Sequence, residues 1–359
     1  MNTTRPEQGP LGKLNSTVDN GWARLLDRIS PQGGARRMLI LLIIAFALFS
    51  VLKPSVFLST TNLQNIALSA PEIGVISLAM MLAMLTGGID LSLVSIANLS
   101  AITMSTLFTT IAAGDPGQAE QLAPVIVLVG LAVGLAGGFV NGLLVSGLGI
   151  TPILATLGTM QIYNGIAVAW TGGKTLSGSP SALTGLGLST IGGVPLLFVI
   201  FALVAIAFGV LVTRTSLGLR IQLQGANPTA ARYSGIASRR ILLNTYVLTG
   251  LLGGIAGILF IARNPTASAD YGASYVLLVI VIAVLGGTNP NGGFASVLGV
   301  VLATLTLQIV SSGFTAMRLS AYEYAIAQGV ILIAVMIYDE VRRRWTRPVR
   351  RRLARRAST

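Results

Sequence analysis

Apolar residues gather in ten stretches along this chain, separated by short polar gaps, at about 38–52, 66–85, 91–113, 122–145, 153–170, 194–212, 241–262, 273–285, 294–310 and 324–338. A hydrocarbon core about 30 Å thick takes roughly 20 mainly apolar residues at about 1.5 Å each, so most of these runs qualify as spans. The first, eighth and tenth are short and need their flanking residues or a tilt to cross. The pattern predicts an all-α integral membrane protein of about ten transmembrane helices, with a tail at 1–37, a transmembrane domain at 38–338 and a basic tail at 339–359.

Charge supplies the orientation. If the N-terminus is cytoplasmic, the inner segments hold Arg5, Lys13, Arg24, Arg28, Arg36 and Arg37, then Arg214, Arg220, Arg232, Arg239 and Arg240, then every arginine after Tyr338. Only Lys53, Lys174, Arg263 and Arg318 of the 24 basic residues fall outside. By the positive-inside rule both termini are expected in the cytoplasm. At 53% hydrophobic and 10% charged, the chain is too apolar for a soluble domain of 359 residues. The net charge of +13 sits in loops and in the tail 342–356. Topology and attraction to anionic membrane lipid account for that placement, and no nucleic-acid partner is expected. Cysteine and histidine are both absent. That removes disulfides, thiolate chemistry, Cys/His metal sites and a histidine proton relay, and no cofactor is expected. Arg36-Arg37 before an apolar run resembles a signal peptide, but Val51-Leu52-Lys53 offers no small-residue cleavage site, so the first span reads as a retained anchor.

Along the chain, residues 21–30 fit either a short interfacial helix, with Trp22, Leu25, Leu26 and Ile29 on one face, or a disordered arm. Thr61-Asn62-Leu63-Gln64 reads as a capping box. Thr151-Pro152 and Asn227-Pro228 place proline at a first helical position, where its missing N–H costs nothing. Gly130, Gly134, Gly137, Gly138 and Gly142 recur at spacings of three and four in the fourth span, which predicts close helix crossings. Leu85–Ser92 and Leu285–Gly292 echo one another, each a helix ending in Gly-Gly before a polar turn. That echo suggests a five-plus-five duplication, and an odd number of spans would make the repeat inverted.

Two acids and several amides lie in or at the ends of the spans. Asp90 follows Gly87-Gly88 at the start of the third span, as a helix N-cap or as a group lining a polar cavity. Glu72 falls about two turns inside the second span and must face a cavity, a partner helix or the interface. Asn141, Gln161, Asn164, Asn244 and Gln308 can each contact a polyol or bond a neighbouring helix. Gly172-Gly173-Lys174-Thr175 looks like the end of a phosphate-binding loop, but position 168 is Val168 where the pattern needs glycine. No nucleophile–base pair is evident, so the chain is not expected to be an enzyme.

The largest inner connection runs from Arg214 to Arg240. Within it Asn227 reads as an N-cap, Pro228 as the first helical residue, Ala230, Ala231, Arg232, Tyr233 and Ser234 as the body and Gly235 as the stop. This is a two-turn helix suited to being pushed by a partner, or a plain connector whose arginines set topology.

The segments Leu85–Ser92, Asn141–Val145, Pro152–Met160, Thr171-Gly172-Gly173 and Gly225–Ile236, in that order, resemble the permease subunits of bacterial ATP-binding-cassette importers of the ribose/xylose/galactose type, over about 38–338. The resemblance implies a second permease subunit, homomeric or related, a separate cytoplasmic ATPase and an extracytoplasmic solute-binding protein in a bacterial plasma membrane. It also implies alternating access, with Asn227–Gly235 as the coupling helix and the outer loops 171–193 and 263–272 as the docking surface. The implied solute is a sugar or related small polyol. Ser92-Leu93-Val94 departs from the family's usual Ser-Val-Gly, the Asn289-Pro290-Asn291 turn is unusual, and Glu72 lies outside the pattern. The residues alone leave open an ion-coupled secondary transporter using Asp90 or Glu72, and an amino-acid permease of the same superfamily.

Overall fold

The computed structural model describes residues 34–320, 322–327, 329, 330 and 333. The tail before Gly34, the 21–30 segment and the basic C-terminal tail lie outside the described residues, as does much of the tenth expected span. Helices run in the order α1 (Gly34–Leu52), α2 (Pro54–Phe57), α3 (Thr60–Leu85), α4 (Leu93–Ala112), α5 (Pro116–Gln121), α6 (Ala123–Ser146) and α7 (Pro152–Thr171). They continue with α8 (Ser181–Leu188), α9 (Leu196–Arg214), α10 (Ser216–Ala226), α11 (Pro228–Tyr233), α12 (Ser238–Arg263), α13 (Tyr275–Leu285) and α14 (Val297–Ala316). Four two-residue strands, β1 (Leu176–Ser177), β2 (Thr190–Ile191), β3 (Val194–Pro195) and β4 (Thr266–Ala267), pair as β1 with β4 and β2 with β3.

Among the described residues seven helices, α1, α3, α4, α6, α9, α12 and α14, are long and apolar enough to cross a membrane. The expected ten is not reached on those criteria, for three separate reasons. α7 has the length, at 20 residues, but threonine, glutamine, asparagine and glycine dilute its apolarity. α13 has only 11 residues. In the tenth stretch, residues 322–327 are helical and the rest is largely undescribed.

Two of the three expected helix starts hold. Pro152 and Pro228 each open their helix as the first residue. The capping box at Thr61 does not form: α3 begins at Thr60 and its cap is Ser59, whose side chain accepts from the Asn62 N–H at 3.3 Å. The α2 turn delivers Ser59 in an extended conformation first, which leaves Thr61 inside the helix.

The antiparallel pair α3 and α12, 26 residues each, forms the most buried part of the bundle. Ser69 and Glu72 of α3 meet Arg263 at one end, while Tyr246 of α12 lies against Gly88, just beyond the other end of α3. α6 crosses α12 on glycine: Gly138 lies against the Gly250 backbone and Gly134 against Gly250 and Gly254. The alternate glycines point elsewhere, Gly130 to Met104 and Gly137 to Ile96 of α4. The three–four spacing thus serves two neighbours at once, letting backbones approach where lipid gives no hydrophobic drive to associate.

The two Gly-Gly turns touch. Gly293 N–H donates to the carbonyl of Leu85 at 3.0 Å, and Gly87 faces Asn291. Both turns therefore lie on one face of the bundle, where two-fold mates about an axis in the membrane plane cannot be. Their likeness is that of helix C-termini: Gly87 and Gly287 take φ of 81° and 93°, the left-handed stop that glycine adopts without strain. A five-plus-five inversion would instead exchange the second and seventh spans, which are α3 and α12.

The α6–α12 crossing is testable. Gly138→Leu should lower the thermal stability of the purified protein in detergent by an overpacking penalty of about 1–3 kcal/mol or more. Gly209→Ala, at a position where a Cβ would meet only Val297 at 3.7 Å, should not lower it.

Candidate functional site

The connection from α9 to α12 forms one arginine-rich face of the bundle. Asn227 caps α11, its Oδ1 accepting from Ala230 N–H at 3.0 Å. The helix closes with Ile236 N–H donating to the Ala231 carbonyl and Gly235 N–H to that of Arg232, Gly235 taking φ of 77°. Capped at both ends, this six-residue helix seats Ala231 against the protein and leaves Tyr233 90% exposed. Pro228, Thr229, Ala230, Arg232 and Ser234 are also exposed.

The helix is not isolated from the bundle. Gly225, at the end of α10, lies directly on the Leu85 carbonyl that ends α3, and Gly292 faces the Gly225 carbonyl at 2.7 Å from its Cβ position. Three backbone segments thus meet with no side chain between them, which only glycine allows. α11 is thus joined through Asn227 to Gly225, which packs on the end of the central helix α3 and on the α13–α14 turn.

On the same face, Asp90 is fully buried. Its Oδ1 accepts from Ser92 N–H at 3.1 Å and Ser92 Oγ–H at 2.6 Å, and its Oδ2 from Thr249 Oγ–H of α12 at 3.1 Å. Ser92 Oγ in turn accepts from Asn141 Nδ2 of α6 at 2.7 Å, and Thr159 of α7 donates to Asn141 Oδ1 at 2.6 Å. Thr156 of α7 accepts from Leu91 N–H at 3.1 Å. The expected N-cap role is corrected: α4 starts at Leu93 with Ser92 in the cap position and no side-chain cap bond, while Asp90 closes the turn before it. It joins the α3–α4 turn to α12, and through Ser92 and Asn141 to α6 and α7. Ser92, Thr156, Thr159 and Thr249 were not singled out from the sequence, because scattered hydroxyls show no period.

At the opposite face, Glu72 is fully buried against Arg263, Nη1 to Oε2 at 2.9 Å, while Nη2 donates to Ser69 Oγ at 2.9 Å. Tyr271 OH donates to the same carboxylate at 3.1–3.2 Å and accepts from Asn264 Nδ2 at 3.1 Å. Burial, with the Glu72 charge beside it, raises the Tyr271 phenol above its ordinary pKa and keeps it a donor. Asn98 of α4 and Asn164 of α7 both donate to the Ala269 carbonyl, at 2.8 and 3.2 Å, and Asn98 also to that of Tyr271. The β1–β4 ladder joins this segment to the loop after α7, pairing Leu176 with Ala267 and Ser177 with Thr266.

The remaining candidates scatter. Gln308 approaches the Ser69 carbonyl at 3.5 Å, and Gln161 and Asn244 are exposed on α7 and α12. Gly172 and Gly173 end α7, so the Gly-Gly-Lys-Thr sequence sits at a helix C-terminus, which presents carbonyls and not the N–H groups a phosphate needs. Among the described residues, no group of three or more acids gathers as a metal site.

The Glu72–Arg263 pair gives a clean cycle. Glu72→Gln or Arg263→Gln alone strands a charge and should destabilise the purified protein by about 3–5 kcal/mol, and the double substitution by clearly less than the sum. Thermal unfolding of all four forms in one detergent checks this.

Residues 62–336 match the family described as branched-chain amino acid transport system / permease component. The autoinducer 2 import system permease protein LsrD of Klebsiella pneumoniae is 31% identical over 327 residues, covering 88% of this chain and 95% of the relative. LsrD of Yersinia pseudotuberculosis is 33% identical and that of Salmonella paratyphi B 30%, each covering 74% of this chain and 79% of the relative. No solved structure matches the chain. With most of its length matched, and helices that fit a multi-pass membrane protein, the chain belongs to this family of transport-system permease components.

Proposed function

We propose that the chain is the membrane-crossing subunit of an ATP-driven importer in a bacterial plasma membrane, passing a sugar or related small polyol from an extracytoplasmic binding protein to the cytoplasm. The observation that carries this is α11, a helix capped at both ends, presenting Tyr233 and Arg232 outward and backed by the Gly225–Leu85 contact. Such a helix delivers a push to the bundle instead of absorbing it. A separate ATPase dimer docks there, the arginine-rich face being cytoplasmic by the positive-inside rule. The loop bearing β1 and the loop bearing β4, joined into one surface, receive the binding protein.

The second permease subunit, identical or related, we place against the outer side of α7, where Gly158 and Gly165 meet nothing within 4 Å and Gln161 is exposed. The named relatives import autoinducer 2, while the family description names branched-chain amino acids. We follow the named relatives for the solute class, the Klebsiella pneumoniae one covering 88% of this chain. The ion-coupled alternative is disfavoured because both intramembrane carboxylates are engaged, Glu72 by Arg263 and Tyr271, Asp90 by Ser92 and Thr249.

The test is retention of an ATPase. Tagged protein purified gently from its native membrane should carry ATPase activity, and Arg232→Glu or Gly235→Pro should remove it and abolish uptake while leaving the chain inserted. Absence of any ATPase in several mild detergents, with uptake stopped by an ionophore, would establish the ion-coupled carrier instead.

A further inference from the structure

Between α11, the end of α6 and the first turn of α12 lies a cleft of about 960 Å³. Arg232 and Tyr233, Arg239 and Ser238, Gln224 and Ser146 line it. This is the size range of small-molecule sites, about 300–1,000 Å³.

Two features of the lining are unmatched within the protein. The first is charge. No Asp or Glu occurs between Glu120 and Asp270, and among the described residues neither Arg232 nor Arg239 makes an ion pair. The second is the amide of Gln224, which is 5% exposed and whose Oε1 has no hydrogen-bond partner. A buried amide oxygen without a donor is an unfavourable arrangement, and Gln224 is part of the cleft wall. A ligand that satisfies both features brings anionic oxygens to two guanidinium groups and a hydrogen to the amide oxygen. Two arginines repel a cation, and a simple carboxylate carries no donor. A phosphate ester with a free hydroxyl supplies both, and a guanidinium fork matches its oxygens in pairs.

We propose that this cleft is a binding site for a phosphate ester bearing a free hydroxyl, supplied either as a soluble cytoplasmic ester or as the glycerol phosphate headgroup of an acidic membrane lipid. The proposal rests on the importer reading only for the side of the membrane it faces. A bound ester bridges Arg232 on α11 to Arg239 on α12, and so fastens the coupling helix to the bundle it moves.

The experiment uses the full chain in nanodiscs of phosphatidylcholine and labelled glycerol 3-phosphate as the probe. Saturable binding is expected. Arg232→Gln and Arg239→Gln, both at exposed positions, should each weaken it by about tenfold or more, as loss of a charge-assisted bond predicts. Gln224→Leu, which removes the amide while keeping its bulk, should weaken it too. Nanodiscs containing phosphatidylglycerol separate the sources: a lipid-filled cleft excludes the probe, whereas a site for a soluble ester binds it undiminished. In the lipid case, phosphatidylglycerol is retained through delipidation by wild type and lost from both arginine variants. Binding that is absent from phosphatidylcholine discs with no arginine-dependent lipid retention, or binding indifferent to both arginines, overturns the proposal. No ATPase takes part, so failure here leaves the importer assignment standing. Conversely, a chain that never retains an ATPase but binds the ester through these arginines keeps the site and loses only the assignment.

Discussion

Inside a bilayer a polar group can be satisfied only by another part of the protein, and leaving one unpaired costs several kcal/mol. That condition shapes α7 more than any other helix. Its inward side carries Thr156, Thr159, Tyr163 and Asn164, bonded in turn to the α3–α4 turn, Asn141, the Gly137 carbonyl and the Ala269 carbonyl. Its outward side is apolar or bare glycine apart from Gln161. The helix is inverted relative to one in a soluble protein, which explains why its apolarity falls short of the other spans. Directional bonds fix its rotation and height in a way that apolar packing would not.

Glycine governs the rest of the packing. With little hydrophobic drive between helices in lipid, close backbone approach supplies the association. It appears in two forms: the α6–α12 crossing along Gly134, Gly138, Gly250 and Gly254, and the junction of Gly225, Leu85, Gly292 and Gly293. The first makes a rigid body. The second joins that body to the arginine-rich loop without intervening side chains, so little motion is lost to rotamer changes between them.

Much of this was legible from local pattern. Span positions, the proline-led helices at Pro152 and Pro228 and the capped α11 follow from signals a few residues apart, and the glycine spacing in α6 foretold close crossings. What was illegible depends on partners far along the chain. Asp90 meets Thr249, and Glu72 meets Arg263 and Tyr271, at separations no pattern encodes. The Thr61 capping box misled because Ser59 offers an earlier start and the α2 turn presents it first. The Gly-Gly echo misled for a general reason: glycine at a helix stop answers a steric need, and two helices with the same need look related whether or not they are. Gln161 and Asn244 looked equal to Asn141 as polar residues in spans, and only the burial of Asn141 separates them.

The small β1–β4 ladder constrains two helices at the face of the bundle opposite α11. It fastens the segment that follows α7 to the segment that follows α12, two helices held in different ways: one by side-chain hydrogen bonds, the other in the glycine-packed body. α7 and α12 therefore cannot part at this end of the bundle unless that ladder is broken first.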